Sequence, residues 1–452
     1  MSDTLPRPPL RRQPGLLRRL FEDPSPVLDE LCEELGPVYG FGVGPVRMAV
    51  VGDPTALREL FAMPTESFRW NHKFNVLGFV VGPGSMIVSD GPDHTRRRKS
   101  VQTAFSRRRL NGWIPTIVER TDAAIDQLLA DTSAGGTETD MYPVGRALVL
   151  DIVVRALFGP RMAPHTTTIG QLFERPQAYL ESSFVSQLPH PFPYTKRARV
   201  AADRRALDEI IDGEIAERRR NPSGDPNDVL EALVVDGSLD DSEIRDQVVT
   251  LIGAGYDTTS ASLAWMLTLC ARAPEVWKRL GEEADAVFGT PEDGTTSGPD
   301  HMTLARLEFA DRTMHETLRL HPAGVISPRE AATDIVVGGH RIPEGTLILW
   351  SAHLAGRDAT AWTDPLEFRP DRFVEATGEQ KALADISWVP FGRGARNCIG
   401  FALAQMELTL IVARMAQRLS ITASGPVPAP SGMVVNRPSG GAPMQVSPRS
   451  AS

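Results

Sequence analysis

The longest helix-compatible pattern lies between residues 240 and 273. Asp240 followed three residues later by Glu243 makes a capping-box start, and apolar positions persist to Cys270. Roughly 33 residues at about 1.5 Å each give a helix of about 50 Å, enough to cross a domain. A second stripe, Phe401, Ala404, Leu408, Ile411, Val412, Met415 and Leu419, recurs at helical spacing and predicts a buried helix starting just after Gly400. Pro274 opens a helix to about Phe288, and Asp53-Pro54 opens one to about Phe61. From Trp113 to about Arg220 the pattern is mostly helical, with Ile117, Ala124 and Leu128, then Val144, Leu148, Ile152 and Val153, in phase; Pro189, Pro191 and Pro193 interrupt it.

Strand-like pattern is confined to three places. Residues 39–52 read as two short strands about a Gly-Pro turn, and residues 335–350 as a hairpin about Pro343-Glu344-Gly345. Met433, Val434 and Val435 against Met444, Gln445 and Val446 suggest a last hairpin. The fold class is therefore mainly α with a smaller β region (α+β). The organisation expected is an N-terminal arm and first helix over 1–36 and a single domain over 37–450, with β-rich parts near 37–52, 335–350 and 433–446.

The chain has 452 residues, 41% of them hydrophobic, so it can bury a large core. A net charge of −9 argues against nucleic-acid partners. Three scattered cysteines suit a reducing cytosol, so a cytoplasmic protein is expected. Met1 to Leu20 holds no apolar run near the roughly 20 residues a membrane span needs, and no transmembrane anchor is expected. This arginine-rich segment reads as a mobile arm. Leu16, Leu17, Leu20 and Phe21 beside Arg18 and Arg19 could touch a membrane or a partner, docking on its own domain being the plainer reading.

Chemistry concentrates at Phe391-Gly392-Arg393-Gly394-Ala395-Arg396-Asn397-Cys398-Ile399-Gly400. Three glycines let the backbone turn about one sulfur, and two arginines and a following helix N-terminus favour thiolate. Structural zinc needs about four ligands, and Cys32 and Cys270 lie far off in sequence. A nucleophilic cysteine needs a base that one sequence cannot assign among nine histidines. Haem iron needs only a single axial thiolate.

The 240–273 helix breaks its own rules at its centre. Gly253 and Gly255 each cost about 1 kcal/mol relative to alanine, and Asp257-Thr258-Thr259 are poor helix formers. Small residues there would admit a flat ligand close to the backbone, and Thr258 with Asp257 could handle protons; a kinked core helix with a satisfied threonine is the alternative. Asp90-Gly91-Pro92-Asp93 starts a helix on which His94 and Arg98 share a face, in isolation a solvated basic surface. Glu316 and Arg319, three apart, could be a surface ion pair. Asn71 to Val81 is more apolar than a surface loop should be, and on composition is equally a buried strand or helix.

The cysteine stretch resembles the haem loop of the cytochrome P-450 family, F-x-x-G-x-R-x-C-x-G, met at Phe391, Gly394, Arg396, Cys398 and Gly400. Ala254-Gly255-Tyr256-Asp257-Thr258-Thr259 resembles the family's A-G-x-D-T-T, His94 and Arg98 its H-x-x-x-R, and Glu316 and Arg319 its E-x-x-R, with Arg372 of Phe368–Phe373 as third member. The resemblance implies haem b with Cys398 as metal ligand, enclosed between the 240–273 helix and the cysteine loop. His94, Arg98 and Arg329 would serve the propionates, Phe391, Arg396, Gly400, Ala254 and Gly255 would contact the haem, and Thr258 and Asp257 would be catalytic. Substrate would meet Phe74, Val76, Leu77, Phe79, Val80, Ile252, Val325, Ile326, Met433 and Val434 under a mobile roof at residues 171–197. There Phe173, Tyr179, Phe184 and Phe192 would add apolar contacts.

The activity implied is a monooxygenase that uses O2 to hydroxylate or epoxidise a small hydrophobic molecule such as a fatty acid, terpenoid, steroid or polyketide. Electrons would come from a separate ferredoxin or flavodoxin with its reductase, docking on Arg96, Arg97, Lys99, Arg107 to Arg109 and Arg393 of a monomer. A peroxide-driven haem-thiolate enzyme would leave the Asp257-Thr258 pair superfluous. A non-catalytic haem sensor would need an output domain, which the pattern does not show.

Overall fold

The computed structural model describes residues 5–42, 46–72, 75–131, 136–182, 184–187, 192, 194–222, 224–225, 227–289 and 299–449. The architecture is mainly α with smaller sheets, and it divides into two compact units. One comprises Met1–Asn75, His315–Cys398 and Ala429–Ser439; the other comprises Val76–Met314, Ile399–Pro428 and Gly440–Ser452.

The first unit is built on a five-stranded sheet. Val38–Phe41 pairs antiparallel with Met48–Val51, which runs parallel to Leu347–Ser351; Ile326–Ala331 and then Phe68–Arg69 follow, each antiparallel to its neighbour. Every residue of the first two strands is buried. Alternation explains this: Ala49, Val51, Ile348 and Trp350 enter one apolar cluster, while Met48, Val50 and Leu349 enter another on the opposite face. A sheet covered on both faces reads in sequence as an unbroken apolar run.

From Leu5 onward the N-terminal segment is not the mobile arm its arginines suggest. Leu5, Leu16 and Leu20 are buried, and the Gln13–Glu22 helix packs on Pro24–Leu35. Arg12 and Arg19 lie 2.8 Å from Glu30, and Arg12 also 2.8 Å from Glu34. The charges thus mark a face paired with the next helix, while the leucines between them mark the buried one.

Two hairpins also form differently. Ile335–Val337 pairs with His340–Ile342 through Gly338 and Gly339, both at positive φ. Pro343-Glu344-Gly345 instead carries the chain on to Leu347–Ser351 in the larger sheet. Two glycines with left-handed backbone make the tighter turn. Near the C-terminus, Met433, Val434 and Val435 form no strand; they lie at the tip between the short strands Pro430–Ser431 and Arg437–Pro438. Pro443–Pro448 pairs with Leu419–Ala423 and with Thr137–Asp140, a strand whose polar Thr-Glu-Thr-Asp sequence gave no apolar alternation.

The second unit is helical, with those three strands as its only sheet among the described residues. Its axis is Asp241–Cys270, capped by Asp240, whose carboxylate accepts from the Glu243 amide while Glu243 returns a bond to the Asp240 amide. Met141–Met162 and Phe401–Arg418 pack against it. The latter helix is not confined to a one-sided stripe: from Met406 to Ala413 every residue is buried, so it is core on all faces there.

Candidate active site

In the first unit, the glycine-rich loop turns as its composition requires. Gly392 (φ 64°) and Gly394 (φ 74°) hold left-handed conformations, and a Cβ on Gly394 would come within 3.1 Å of the Phe61 carbonyl. The Cys398 amide donates to the Phe391 carbonyl at 2.8 Å, closing the loop beneath the cysteine. Cys398 is exposed, unlike half-buried Cys32 and buried Cys270, whose thiol burial pushes far up from its ordinary range. Phe391 packs on Trp388 with ring centres 5.9 Å apart. Gly400 begins the Phe401–Arg418 helix.

Arg329 sits on the Ile326–Ala331 strand, 6% exposed. Its Nε has no hydrogen-bond partner, and it makes no ion pair among the described residues. Its guanidinium instead faces aromatic rings, 5.2 Å from Phe61, 4.9 Å from Phe68 and 5.4 Å from Trp70. Burial, with Arg396 nearby, lowers its pKa to about 10. A buried cation without a carboxylate suits an anionic ligand such as a haem propionate. Arg396 stacks on Trp70 at 3.9 Å.

The structure brings Glu316, Arg319 and Arg372 together. Glu316 Oε2 accepts from Arg319 Nε at 2.8 Å, and Oε1 accepts from Arg319 Nη2 at 2.9 Å, Arg372 Nε at 2.8 Å and the Arg369 amide at 2.8 Å. Arg319 also donates to the Gly356, Pro365 and Glu367 carbonyls, and Arg372 to those of Thr363, Asp364 and Glu367. One carboxylate thus anchors two chain segments through bidentate and carbonyl bonds. Val325 and Ile326 lie buried in the cluster with Leu16 and Leu28, with Met433 packed against it; Val434 is 39% exposed.

In the second unit, the Asp241–Cys270 helix runs unbroken through Gly253 and Gly255. Otherwise buried along its middle, it opens to solvent at exposed Ala254, with Gly253, Gly255 and Thr258 half-buried. The Thr258 hydroxyl donates to the Ala254 carbonyl at 2.6 Å, four residues back. Asp257 and Ile252 are buried. Tyr256 accepts from Arg146 at 2.9 Å, a residue without a sequence signal, and burial pushes its phenol up to about 12. The glycines serve packing as well as access: a Cβ on Gly253 would lie 2.8 Å from Phe173, and one on Gly255 3.6 Å from Val153.

His94 is buried and Arg98 half-buried on Gly91–Ala104. Of the basic residues expected to dock a partner, Arg96 and Arg97 are tied to Glu243, at 2.6 and 2.9 Å, while Lys99, Arg107 and Arg108 are exposed. In the first unit Arg393 is exposed. Val76, Leu77, Phe79 and Val80 pack with Tyr179 and Val200. Phe74 and the Phe184 side chain lie outside the described residues, as do Pro189, Pro191 and Pro193.

The segment after Val80 is strapped to the long helix by polar residues that hydrophobic periodicity does not reveal. The Gly84 amide donates to Asp246 at 2.8 Å, the Met86 amide to Gln247 at 3.0 Å, and Thr250 to Ser85 at 2.7 Å. No group of three or more acidic, histidine or cysteine residues that could hold a metal ion occurs among the described residues. Nor is any described helix long and apolar enough to cross a membrane.

An exposed cysteine on a glycine-turned loop fits a haem-thiolate class of site, and comparison with known proteins gives the family. The cytochrome P450 family model matches residues 10–442. A Mycobacterium tuberculosis protein named "Putative cytochrome P450 139" is 33% identical over 395 residues, 85% of this chain and 87% of the relative. The pentalenene oxygenase of Streptomyces avermitilis is 30% identical over 398 residues, 86% of this chain and 84% of the relative. A cyanobacterial CYP120A1 solved with retinoic acid superposes with a TM-score of 0.84 at 22% identity, covering 99% of this chain and 100% of the other. The chain belongs to the cytochrome P450 family. It is a haem-iron monooxygenase, an oxidoreductase that acts on a small molecule with a redox partner.

Proposed function

We propose that this chain carries haem b on Cys398 and uses O2 and two externally supplied electrons to insert one oxygen atom into an apolar small molecule, by hydroxylation or epoxidation. The observation that carries the reading is an exposed cysteine on a glycine-turned loop, in the same unit as a buried guanidinium that no described carboxylate neutralises. When bound, the haem supplies O2 activation at iron. Cys398 would hold the iron through its thiolate, an electron-rich ligand. His94, Arg98, Arg329 and Arg396 would donate to the propionates, while Phe391, Gly400, Ala254 and Gly255 would contact the macrocycle. Glu316, Arg319 and Arg372 fix the fold of the cysteine-bearing unit.

Thr258 holds a proton on a hydroxyl already oriented by the Ala254 carbonyl, and Asp257, buried beside it, would be the carboxyl group that relays protons. The apolar side chains of Val76, Leu77, Phe79, Val80, Ile252, Val325, Ile326, Met433 and Val434 favour a fatty acid, terpenoid, steroid or polyketide. Similarity to a pentalenene oxygenase supports a hydrocarbon-like substrate. A ferredoxin or flavodoxin, with its reductase, delivers electrons to a cytoplasmic monomer through Lys99, Arg107, Arg108 and Arg393. Reduction under carbon monoxide is expected to give a strongly red-shifted Soret band that is lost in Cys398→Ala; a preparation unable to take up haem would refute the reading. Turnover with a surrogate ferredoxin and none with peroxide alone is expected, falling as ionic strength rises.

A further inference from the structure

We infer that Trp70 is a positioning residue for the haem-binding arginines, its indole holding the guanidiniums of Arg329 and Arg396 in one cradle. The inference rests on the reading that those arginines receive the propionates. Sheet register brings Trp70 to the site: Phe68 pairs with Ala331 and Arg69 with Glu330, so the next residue on each strand sets Trp70 opposite Arg329. The chain then turns, with Asn75 donating to the Trp70 carbonyl at 2.7 Å. Arg396 arrives from the cysteine loop and lies 3.9 Å over the indole, with Arg329 at 5.4 Å. Phe68 meets Trp70 edge-on at 6.1 Å and Phe61 completes the wall beside Arg329.

Two guanidiniums so close repel one another, and Arg329 is buried without a carboxylate in the described structure. An aromatic face attracts a cation through its quadrupole, most strongly for tryptophan and most where water is excluded. Arginine also stacks flat on such a face, which fixes the direction of its remaining N–H donors. Trp70 therefore offsets the repulsion and sets the direction in which those donors point. Phenylalanine would keep a weaker face; leucine would keep only bulk.

The test measures transfer of haem from the loaded protein to an excess acceptor apoprotein. Trp70→Leu is expected to lose haem about tenfold faster and Trp70→Phe about threefold faster. In an Arg396→Leu background the Trp70→Leu change should accelerate loss clearly less, since only the longer contact to Arg329 remains to be lost, a dependence that general loosening of the loop would not produce. Loss at the parent rate in Trp70→Leu, or the same acceleration with and without Arg396, overturns the inference. Should Trp70→Leu fail to fold, the Trp70→Phe rate with and without Arg396 decides by the same criterion. Reconstitution with the dimethyl ester of haem tests the underlying reading separately. If Arg329→Leu and Arg396→Leu affect free-acid and ester haem alike, the propionate assignment fails; if they discriminate but Trp70 variants change nothing, the inference alone fails.

Discussion

Replacing Glu316 by glutamine removes a carboxylate that faces two buried guanidiniums. The side chains of Glu316, Arg319 and Arg372 are 0%, 0% and 4% exposed, so water cannot take over its role. Breaking a buried ion pair by neutralising one partner costs about 3–5 kcal/mol. Both arginines keep their carbonyl acceptors, so what is lost is mainly the counter-charge, which places the expected cost near the lower bound, about 3 kcal/mol. Glu22→Gln is the control: its pair with Arg18 spans 3.9 Å with side chains 65% and 77% exposed, and its loss should cost under about 0.5 kcal/mol. Urea unfolding followed by far-ultraviolet circular dichroism reads both. A Glu316→Gln midpoint indistinguishable from that of Glu22→Gln would refute the claim that this network holds the cysteine-bearing unit together. Gly356→Ala approaches the same junction without touching a charge: its Cβ would fall 2.3 Å from the Arg319 carbonyl, so a comparable loss is expected.

Gly255→Ala should be neutral or stabilise by up to about 1 kcal/mol, since helix propensity rises and Val153 is at ordinary contact distance; Gly253→Ala should destabilise by displacing Phe173, and equal melting shifts would contradict this packing. Glu243 is held down to about 2, chiefly by its hydrogen bond from Arg96 and despite partial burial. A depressed carboxylate contributes stability above its ordinary 4.5 and loses it as pH falls toward about 2, so parent minus Glu243→Gln stability should shrink across that interval; a pH-independent difference would count against it. Thr258→Ala should leave folding and haem uptake intact but raise the reductant consumed per product formed, and unchanged coupling would show that protons travel another way.

How much of this was legible in the sequence depends on the range of the physics involved. Short-range signals were readable: the Asp240–Glu243 capping box, Pro54 and Pro274 at helix starts, and the Gly392 and Gly394 turns all depend on neighbours a few residues away. The Pro343–Gly345 turn misled because a turn signal says where the chain bends, not which strands then pair. Two glycines at 338 and 339 made the competing, tighter hairpin. The arginines of the N-terminal segment suggested solvent because their partners, Glu30 and Glu34, sit on the next helix.

The same limit separates the motif residues from those that hold them. Glu316 and Arg319 stand out only by likeness to the family's E-x-x-R, their i,i+3 spacing alone reading as a surface pair, and the buried carbonyls of Gly356, Pro365 and Glu367 that complete the bonds have no sequence signature. The central glycines suggest room for a ligand; a Cβ at Gly253 meets Phe173, so that glycine is also explained by helix packing. Ala254 and Thr258, one turn apart on the open face, are the positions where a small side chain and a hydroxyl leave room for chemistry. Trp70 lies in no motif at all, because what gives it meaning is the pairing of residue 69 with residue 330, a contact across 261 positions that only folding makes. The two kinds of residue are thus written at different ranges: the motif side chains recur at short spacing along the chain, whereas Trp70 is brought to Arg329 by sheet register.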